Sequence, residues 1–567
     1  MVLHHRQNRD DDGNARHAKS PALYYAILAA WLAASVLLWA NYATSLRALD
    51  SATGKVLAGL ITFLVDLSWM YGFYHIGFVS FARLYPDSLS SRDSAREEPL
   101  CEQPVAVLLT VCDDFQPPAA HSCVTQDYPD FHVYVLDDSS GEQMKEKVDT
   151  FQKNFPKKVT VMRREDRKGF KAGNLNNCLS LLPEKYAYIA LADSDTHLPA
   201  AFLRIATGLL EVNSSKGFVQ ALHIANAHHR QSLARDLGEI VRVGWCYYQP
   251  LRNKYGFPMC YGHGALIRRS ALKVADGFPE IVSEDIALTL RLRRQGIRGL
   301  ITSGSICGED FPDDYYTFRK RLSRWVAADL ECFREELVPF LSSKNILIIE
   351  KLDALFRGLK VPLSLLFLPV AVLVNVMAVL FPAWESSVAW PTLAITMLSI
   401  FAPYYCFTVD LTGQPKRLVL LLSQLTAVYC SGILLIIVNA LQAIYSRRAQ
   451  FYVSGVKEDR KLDGSLLRRY LSMDKAGYPL LGFFEVSAAL LLILFALQTE
   501  NLTLIGVAAA MALAPAIDTL GWENRLVTWF VHLPFSLIVT GIVSPWLFGH
   551  GSTVQILTLA GLSILLF

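Results

Sequence analysis

Long apolar runs on both sides of a charged middle segment constrain this chain more than any other feature. Runs at 22–43 and 56–79 precede that segment, and further runs follow residue 340. A helix needs about 20 predominantly apolar residues to cross the core of a bilayer. The chain is also 52% hydrophobic and only 19% charged, a balance that is unusual in a soluble protein of this size. The sequence therefore predicts a polytopic α-helical membrane protein with a globular domain between its membrane helices.

The first two apolar runs predict an N-terminal transmembrane pair over 22–85, after a polar cytosolic leader at 1–21. The first run is too long for the apolar core of a signal peptide. The second run contains Asp66 and His75, which are costly in lipid and are expected to face protein. Two explanations stay open for these residues, a functional role and simple packing polarity.

The apolar runs after the charged segment predict further spans. Five of them have the necessary length, namely 361–384, 390–411, 478–498, 502–520 and 527–550. The run 554–567 is short and ambiguous. The run 418–445 follows Lys416 and Arg417 and precedes the basic stretch 447–475, so both of its ends are predicted to be cytoplasmic. We therefore expect an interfacial or re-entrant helix there, whereas a true span would invert the topology of everything that follows.

Between 86 and 340 the charges return, and short apolar runs alternate with helical stretches. Four runs resemble buried strands, namely 105–111, 131–137, 158–163 and 186–193. Continuous apolar strands between helices are typical of an α/β domain with a mostly parallel, Rossmann-like sheet. Ligands of such sheets bind at the carboxyl ends of the strands. The acidic pair Asp137-Asp138 and the triplet 193–195 both stand at such ends.

Asp193 and Asp195 stand one residue apart, a spacing that suits a metal ion. Two carboxylates at a strand end suit Mg²⁺ or Mn²⁺, which also takes phosphate oxygens of a substrate. The ion would neutralise charge on a departing nucleoside diphosphate. A solvated acidic turn is the alternative. Asp137 and Asp138 are candidates to accept hydrogen bonds from a nucleobase or ribose, although such a pair is more often a turn or a helix cap.

Two further segments carry candidate chemistry. In residues 168–176 (KGFKAGNLN), Gly173 permits close backbone approach and Lys171 offers a positive charge for phosphate. Glu284 and Asp285 open a helical run, and a carboxylate there suits the removal of a proton from an attacking hydroxyl. The alternative for the acidic pair is a helix cap or a first-turn acid.

Residues 321–325 (RLSRW) combine Arg321, Arg324 and Trp325. Guanidinium groups grip diphosphates, and a flat indole ring stacks on a sugar. An amphipathic helix lying on the membrane is the alternative, because Arg and Trp also favour membrane interfaces. Both interpretations are compatible with each other.

Charge and cysteine content exclude other classes. The formal net charge of +3 is too small to indicate a nucleic-acid partner. The 10 cysteines form no CxxC pair and no zinc-like Cys/His spacing, so a reduced, cytosolic compartment is expected for the globular segment.

In their order and membrane framing, these motifs resemble those of processive family-2 glycosyltransferases, the cellulose, curdlan and hyaluronan synthase group. The DD, DxD, (T)ED and QxxRW motifs of that family match 137–138, 193–195, 283–285 and 321–325, with Arg321 in place of the glutamine. VQALH (219–223) resembles a segment lining the substrate cleft, and 260–272 resembles the acceptor loop. FYVSGVK (451–457) resembles the FxVTxK gating loop of cellulose synthases, with Ser454 for threonine and one residue inserted.

The resemblance implies a glycosyltransferase-A domain in which Asp285 is the catalytic base. It implies acceptor contacts from Glu284, Trp325, Cys260, Tyr261, Gly262 and His263. It implies donor contacts from Asp137, Asp138, Lys171, Asn174, Asp193, Arg321 and Arg324. Asp193 and Asp195 would hold Mg²⁺ or Mn²⁺, and the gating loop would comprise Phe451, Val453, Ser454 and Lys457.

The expected function is inverting, processive polymerisation of a UDP-sugar, with UDP-glucose and a β-glucan as the leading choice, and export of the product through the membrane. Transfer of one sugar to a lipid carrier, hyaluronan- or chitin-type synthesis, and a scaffold or transporter with a degenerate transferase domain stay open. Expected partners are the UDP-sugar, the growing polysaccharide, membrane lipid and accessory export proteins. The plasma (inner) membrane is the expected location, with the catalytic domain cytosolic.

The sequence predicts that the chain is divided into segments at 1–21, 22–85, 86–340, 341–450, 451–477 and 478–567.

Overall fold

The computed structural model describes residues 21–84, 102–226, 232–358, 367–446, 481–548 and 554. The segment predicted to form the gating loop, with Phe451, Val453, Ser454 and Lys457, lies outside the described residues. The leader before Pro21 lies outside them as well. The predictions for both segments stay predictions.

Two long helices begin the described chain, α1 (Ala22–Ser45) and α2 (Ala52–Leu84). Both sequences are predominantly apolar and contain no proline, so no residue lacks the N–H that the helical hydrogen bonds need. Even α1, with 24 residues, is about 36 Å long and exceeds the thickness of a bilayer core. The two predicted N-terminal spans are therefore present as helices of sufficient length.

Asp66 of α2 is enclosed by side chains of α1. The indole nitrogens of Trp31 and Trp39 donate to its carboxylate at 2.9 and 3.0 Å, and the Ser35 hydroxyl donates at 2.6 Å. A buried carboxylate needs such donors. Packing polarity therefore accounts for Asp66. His75, by contrast, contacts the Tyr248 hydroxyl at 2.6 Å and lines the cavity described below.

The middle of the chain forms one seven-stranded sheet. Its strands are β1 (Val105–Val111), β2 (Phe131–Asp137), β3 (Val159–Met162), β4 (Tyr188–Asp193), β5 (Lys216–Ala225), β6 (Ala265–Arg268) and β7 (Arg298–Glu309). Its helices are α3 (Pro117–Val124), α4 (Glu142–Asn154), α5 (Phe170–Leu181), α6 (Phe202–Val212), α7 (Ser232–Val243), α8 (Gln249–Lys254), α9 (Arg269–Val274), α10 (Glu284–Arg294), α11 (Tyr315–Ser342) and α12 (Ile348–Gly358). A π-helical turn, Gly244–Tyr248, joins α7 to α8.

The strand order is β3-β2-β1-β4-β6-β5-β7. Neighbours are parallel except at β6, which runs antiparallel to both β4 and β5. The prediction of a mostly parallel sheet is confirmed, and the four predicted strands are present. In register, Val111 pairs with Asp137 and Thr110 pairs with Asp193, so the acidic motifs meet at one edge of the sheet.

Both faces of the sheet are buried. Along β1, Val105, Val107 and Leu109 belong to one apolar cluster, whereas Ala106 and Leu108 belong to another on the opposite face. Strands covered on both sides read as continuous apolar runs. This is why β1, β2 and β4 could be recognised in the sequence as continuous apolar runs.

The C-terminal third is helical. Its described helices are α13 (Phe367–Leu380), α14 (Pro382–Ser387), α15 (Trp390–Phe401), α16 (Tyr405–Asp410), α17 (Pro415–Ser431), α18 (Ile433–Ser446), α19 (Leu481–Gln498), α20 (Leu502–Leu520), α21 (Arg525–Phe530) and α22 (Leu533–Phe548). By length and composition, five stretches among the described residues suffice to cross a membrane, namely Ala22–Ala48, Ala52–Leu84, Trp390–Asp410, Leu481–Gln498 and Arg525–Val543.

Two of the predicted spans are shorter in the structure. The described part of 361–384 is helical over Phe367–Leu380 and breaks at Phe381, before a proline that cannot donate a helical hydrogen bond. The apolar part of α20 is also below the length of the five stretches above. The predicted 418–445 run is a bent pair, α17 and α18, with a 42° bend at Gly432. The bend fits both the predicted re-entrant helix and a broken span.

Helix α11 connects the globular domain to the C-terminal helices. It begins after Asp314, whose carboxylate accepts the backbone N–H of Thr317 at 2.8 Å. The buried guanidinium of Arg319 pairs with Glu485 of α19 and lies 4.0 Å from Asp518 of α20. Removing one partner of such a buried pair strongly destabilises the fold, because the other charge stays buried without a partner. The helix that carries residues 321–325 is thereby fixed against α19 and α20.

Candidate active site

A cavity of about 1160 Å³ opens where the carboxyl ends of β1 and β4 meet α10 and α11. Twelve of the residues predicted for the site line this cavity, namely Asp138, Lys171, Asn174, Asp193, Asp195, Tyr261, His263, Glu284, Asp285, Arg321, Arg324 and Trp325. Asp137, Cys260 and Gly262 lie outside its lining. The fold therefore brings residues that are far apart in the sequence to one place, and their individual roles stay predictions.

Lys171 is the centre of an ion cluster on the cavity wall. Its Nζ lies 2.5 Å from Oδ1 of Asp193 and 3.5 Å from Oε1 of Glu284, and it donates to the carbonyl of Gly262 at 2.9 Å. Burial by itself raises the pKa of Asp193, but the charges of Lys171 and His263 and the hydrogen bonds from Lys171 and Thr110 lower it to about 2. Asp193 is therefore ionised, and Lys171 is held between two strand ends and the start of α10.

Asp195 differs from Asp193 in having unused hydrogen-bonding capacity. Within the described part of the chain, we find no hydrogen bond or ion pair for its carboxylate. Burial raises its pKa to about 6, a rise that the charge of His263 opposes and that of Asp193 reinforces. A half-buried carboxylate with free lone pairs, beside a second carboxylate, offers the hard oxygen ligands that Mg²⁺ and Mn²⁺ prefer. The pair therefore fits a divalent ion, with Asp195 as the more available ligand.

Asp114 joins the same acidic group and was not among the predicted site residues. It lines the cavity, and its carboxylate accepts the backbone N–H of Cys112 at 2.8 Å. Burial is the first cause that raises its pKa to about 6, and the charges of Asp195 and Asp193 add to the rise. Its position just after β1, at the same sheet edge as β4, was the signal in the sequence.

Glu284 and Asp285 form the first turn of α10. Oδ1 of Asp285 accepts the backbone N–H of Ile286 at 2.7 Å, so Asp285 is a first-turn acid as well as a cavity residue. Burial raises the pKa of both carboxyls, and the charge of Lys171 opposes the rise. A carboxylate with a raised pKa is a better proton acceptor than an exposed one. The geometry and the protonation both suit a general base at the start of α10.

The loop before β6 presses against Asp285 because it contains glycine. Gly262 has a φ of +77°, in the left-handed region, and a β-carbon there would lie 3.1 Å from Oδ2 of Asp285. Gln220 of β5 holds the loop: its Oε1 accepts the N–H of Tyr261 at 2.8 Å, and its Nε2 donates to the carbonyl of His263 at 2.9 Å. Tyr261 and His263 consequently line the cavity, whereas Cys260 is buried beneath it and donates from its N–H to Thr289 at 3.0 Å.

Helix α11 contributes one aromatic and two cationic groups. The guanidinium of Arg321 lies 5.2 Å from the ring centroid of Phe311 and 4.8 Å from that of Trp325, and it donates to the carbonyl of Asp310 at 3.1 Å. Burial, followed by the neighbouring charge of Arg321, lowers the pKa of Arg324, while Asp193 opposes this. The Trp325 ring is 40% exposed and lines the cavity.

The acidic pair after β2 already has cationic partners. Asp137 pairs with Nε of Arg163 at 2.7 Å and accepts the N–H of Ser139 at 2.9 Å, as a turn residue does. Asp138 binds both Nε and Nη2 of Arg164, at 3.0 and 2.7 Å. Asn174 donates to the carbonyl of Leu136 at 3.2 Å. The donor-binding roles of these residues stay predictions, with Asp138 and Asn174 at the cavity and Asp137 behind it.

Aromatic rings extend the cavity from the acidic cluster to the membrane helix α2. This part is lined by Tyr71, Tyr74, His75, Trp245, Tyr248, Tyr261 and Phe356. The rings of Trp245 and Tyr261 are 4.8 Å apart, and Tyr74 and Phe356 stack at 4.8 Å. Flat rings with a polar edge are suited to the apolar faces and hydroxyls of sugars. Apart from Tyr261 in the predicted acceptor loop and His75, which was noted as a polar residue of α2, the sequence did not mark these rings, because they come from four separate segments of the chain.

Comparison with known proteins shows what this domain is similar to. Residues 188–411 match the family model described as "Glycosyl transferase family group 2", which is less than half of the chain. The rice (Oryza sativa subsp. japonica) protein "Glucomannan 4-beta-mannosyltransferase 1" is 26% identical over 236 residues, 40% of this chain and 44% of that protein. "Glucans biosynthesis glucosyltransferase H" of Nitrosomonas europaea is 24% identical over 312 residues, 48% of this chain and 35% of that protein.

The chain thus spans less than half the length of these relatives. Among solved structures, the mannosyltransferase PcManGT from Pyrobaculum calidifontis, in complex with GDP-Man and Mn²⁺, covers 68% of this chain and all of its own. Its TM-score is 0.40 at 16% sequence identity. The matched family model confirms the resemblance that the motif order predicted. Residues 188–411 of this chain are thus similar to family-2 glycosyltransferases.

Proposed function

We propose that this chain, with its family-2 glycosyltransferase domain, polymerises a nucleotide-activated hexose into a β-linked polysaccharide and passes the product into the membrane. The observation that carries the proposal is the single cavity that joins the ion cluster of Lys171 to the aromatic rings near α2. The charged end suits a nucleoside diphosphate sugar, and the aromatic end suits a sugar chain. UDP-glucose and a β-glucan are the leading donor and product.

The donor diphosphate would lie against the cationic side of the ion cluster. Lys171 and Arg324 both line the cavity beside Asp193, and cationic groups in a buried site stabilise charge that develops on a leaving diphosphate. Asp193 and Asp195 would hold a divalent ion, Mg²⁺ or Mn²⁺, which supplies charge neutralisation to the diphosphate when bound. Arg321 would assist from the same helix turn as Arg324.

The transfer step is a single inverting displacement. The acceptor hydroxyl oxygen attacks the anomeric carbon of the donor, and its proton passes to the carboxylate of Asp285. The bond from the anomeric carbon to the diphosphate oxygen breaks, and the diphosphate leaves with the electron pair. Asp285 suits this role because burial raises the pKa of its carboxyl and because the loop at Gly262 fixes its surroundings.

The acceptor chain would occupy the aromatic end of the cavity. Trp325 would hold the terminal sugar, and Tyr71 and Tyr74 place the far end of the cavity on α2, a helix long enough to cross a membrane. The direction of the cavity supports the proposal that the product is exported between the membrane helices. The proposed setting is the plasma (inner) membrane with a cytosolic catalytic domain, with lipid and accessory export proteins as partners.

Product analysis with the purified full-length protein tests this function. The protein is incubated with radiolabelled UDP-glucose, UDP-N-acetylglucosamine or GDP-mannose in the presence of Mn²⁺ or Mg²⁺, and the size and linkage of the products are measured. A β-linked polymer from UDP-glucose supports the proposal. GDP-mannose belongs in the set because the rice relative is named a mannosyltransferase. A product of one sugar on a lipid, or no transfer at all, would contradict polymer synthesis.

Replacing Trp325 separates acceptor binding from donor chemistry. We expect Trp325→Ala to shorten or abolish the polymer while hydrolysis of the UDP-sugar, with water as the acceptor, stays detectable. The indole ring would hold the terminal sugar by stacking, and water needs no such support. Polymer length by gel filtration and released UDP by a coupled assay measure the two reactions.

Two variants serve as controls for the Trp325 measurement. Trp529→Ala removes an exposed ring outside the cavity lining and is expected to leave both reactions unchanged. Arg324→Ala is expected to impair both reactions, because Arg324 is assigned to the donor diphosphate. An equal loss of hydrolysis and polymerisation in Trp325→Ala would assign the ring to the donor end or to packing.

A further inference from the structure

Two histidines and a glutamate converge on the wall of the cavity, beside the aspartates but outside the ion cluster of Lys171. His223 comes from β5, His263 from the loop before β6, and Glu309 from the last position of β7. One ligand atom of each lies within 4.8 Å of the other two. All three line the cavity. His223 belongs to the 219–223 segment and His263 to the predicted acceptor loop, but no metal role was predicted for either residue or for Glu309.

The imidazole rings turn one nitrogen each towards the same carboxylate oxygen. Nε2 of His263 lies 3.3 Å from Oε2 of Glu309, and Nδ1 of His223 lies 3.8 Å from it. The two rings are nearly parallel, with centroids 4.2 Å apart. Gly264 permits this arrangement, because a β-carbon there would lie 2.8 Å from Nε2 of His223. The backbone is thus shaped around the imidazole pair.

The opposite nitrogens contact hydrogen-bond acceptors. Nδ1 of His263 is 3.1 Å from the Thr196 hydroxyl, and Nε2 of His223 is 3.2 Å from the carbonyl of His263. Histidines that bind metal characteristically donate their other N–H to a backbone or side-chain acceptor. Nε2 of Gln220 also lies 3.1 Å from Nε2 of His223, but its two hydrogens have three carbonyl acceptors nearby, on Ala221, His263 and Gly264.

We propose that His223, His263 and Glu309 bind a divalent transition-metal ion on the cavity wall. Imidazole ligands favour ions of the Mn²⁺ to Zn²⁺ series, whereas Mg²⁺ prefers an all-oxygen set. Three protein ligands leave coordination positions open for water or a substrate oxygen, as in metal sites that take part in chemistry. Metal binding at this site does not depend on the proposed reaction; only the use of an open position by a substrate oxygen rests on the proposed function.

Spectroscopy of the metal-loaded protein tests this site directly. Full-length protein is purified in detergent, stripped with chelator and titrated with Mn²⁺ alone, without nucleotide. Pulsed electron paramagnetic resonance detects coupling of bound Mn²⁺ to imidazole ¹⁴N. We expect nitrogen coupling in the native protein, and at least a tenfold loss of Mn²⁺ affinity in His223→Asn, His263→Asn and Glu309→Gln. Changes to outer contacts alone already cost about 10–100-fold.

A surface histidine provides the matched control. His121→Asn replaces an exposed imidazole on α3 and is expected to keep both the affinity and the nitrogen coupling. The spectrum of the native protein decides the matter even where a variant fails to fold. Absence of bound Mn²⁺, or a bound ion without nitrogen coupling, would overturn the proposal and leave His263 and Glu309 as an ion pair. Since no sugar nucleotide takes part, this result is independent of the polymer assay.

Discussion

Asp285→Asn is expected to lower sugar transfer by about 10²–10⁴-fold, the usual contribution of a positioned general base. Asparagine preserves the size of the side chain and its oxygen for the N–H of Ile286, but it takes no proton. Donor binding should persist, because the base acts on the acceptor hydroxyl and the diphosphate contacts are assigned to Lys171 and Arg324. Turnover is measured by UDP release, and donor affinity by calorimetric titration with UDP and Mn²⁺.

The native pH profile gives an independent check on the same residue. The base must be ionised to act, and burial raises the pKa of both Asp285 and Glu284. The value of kcat/KM should therefore fall as the pH is lowered through this raised pKa and be fully present above it. Asp236→Asn, which changes a buried carboxyl on α7 outside the cavity lining, is the matched control and should retain native transfer. Near-native turnover in Asp285→Asn would reduce Asp285 to a first-turn acid of α10.

The strands that carry the acidic motifs were predictable because both faces of the sheet are buried. Burial on both sides made β1, β2 and β4 continuous apolar runs, and parallel pairing then required their polar ends to meet. Because β4 pairs in parallel with β1, Asp193 at the end of β4 lies beside the end of β1. The match to a family-2 glycosyltransferase model agrees with the order of these motifs.

Short and antiparallel elements were not predictable in the same way. β6 is only four residues long and is inserted between β4 and β5, so its periodicity is too brief to distinguish it from a helical turn. This strand positions the loop with His263, and β7 positions Glu309. The histidine cluster therefore arises from tertiary pairing, and no metal-ligand spacing marks it in the sequence.

In the membrane helices, too, some features were predictable from the sequence and others were not. Length and apolar content predicted α1 and α2 well, because neither helix contains a proline. The same criteria missed the interruption at Phe381, since local hydropathy does not report how a helix packs. The bend at Gly432 fits the re-entrant helix that the flanking charges predicted, and it also fits a broken span. The link from Arg319 to Glu485 was also absent from sequence reasoning, because it joins residues 166 positions apart.

The acidic pair after β4 supports the second large expected effect. We expect Asp195→Asn to lose the gain in UDP affinity that Mn²⁺ confers, together with sugar transfer. The loss should be at least the 10–100-fold that altered outer contacts of a metal already cause. Asp195 is the sharper target because its carboxylate has no partner among the described residues, whereas Asp193 also holds Lys171 at 2.5 Å. Calorimetric titrations of UDP with and without Mn²⁺ measure the effect.

The design separates loss of the metal from loss of the fold. Asparagine is close in size to the aspartate that it replaces, and the ion pair of Lys171 with Asp193 would stay in place. Asp127→Asn, at an exposed carboxylate paired with Arg204 at 3.3 Å, is the control and should keep the Mn²⁺-dependent gain in full. UDP binding without metal should be similar in all three proteins. If Mn²⁺ promotes UDP binding equally in Asp195→Asn, the ion is not held by Asp195, and the imidazole cluster becomes its remaining candidate site.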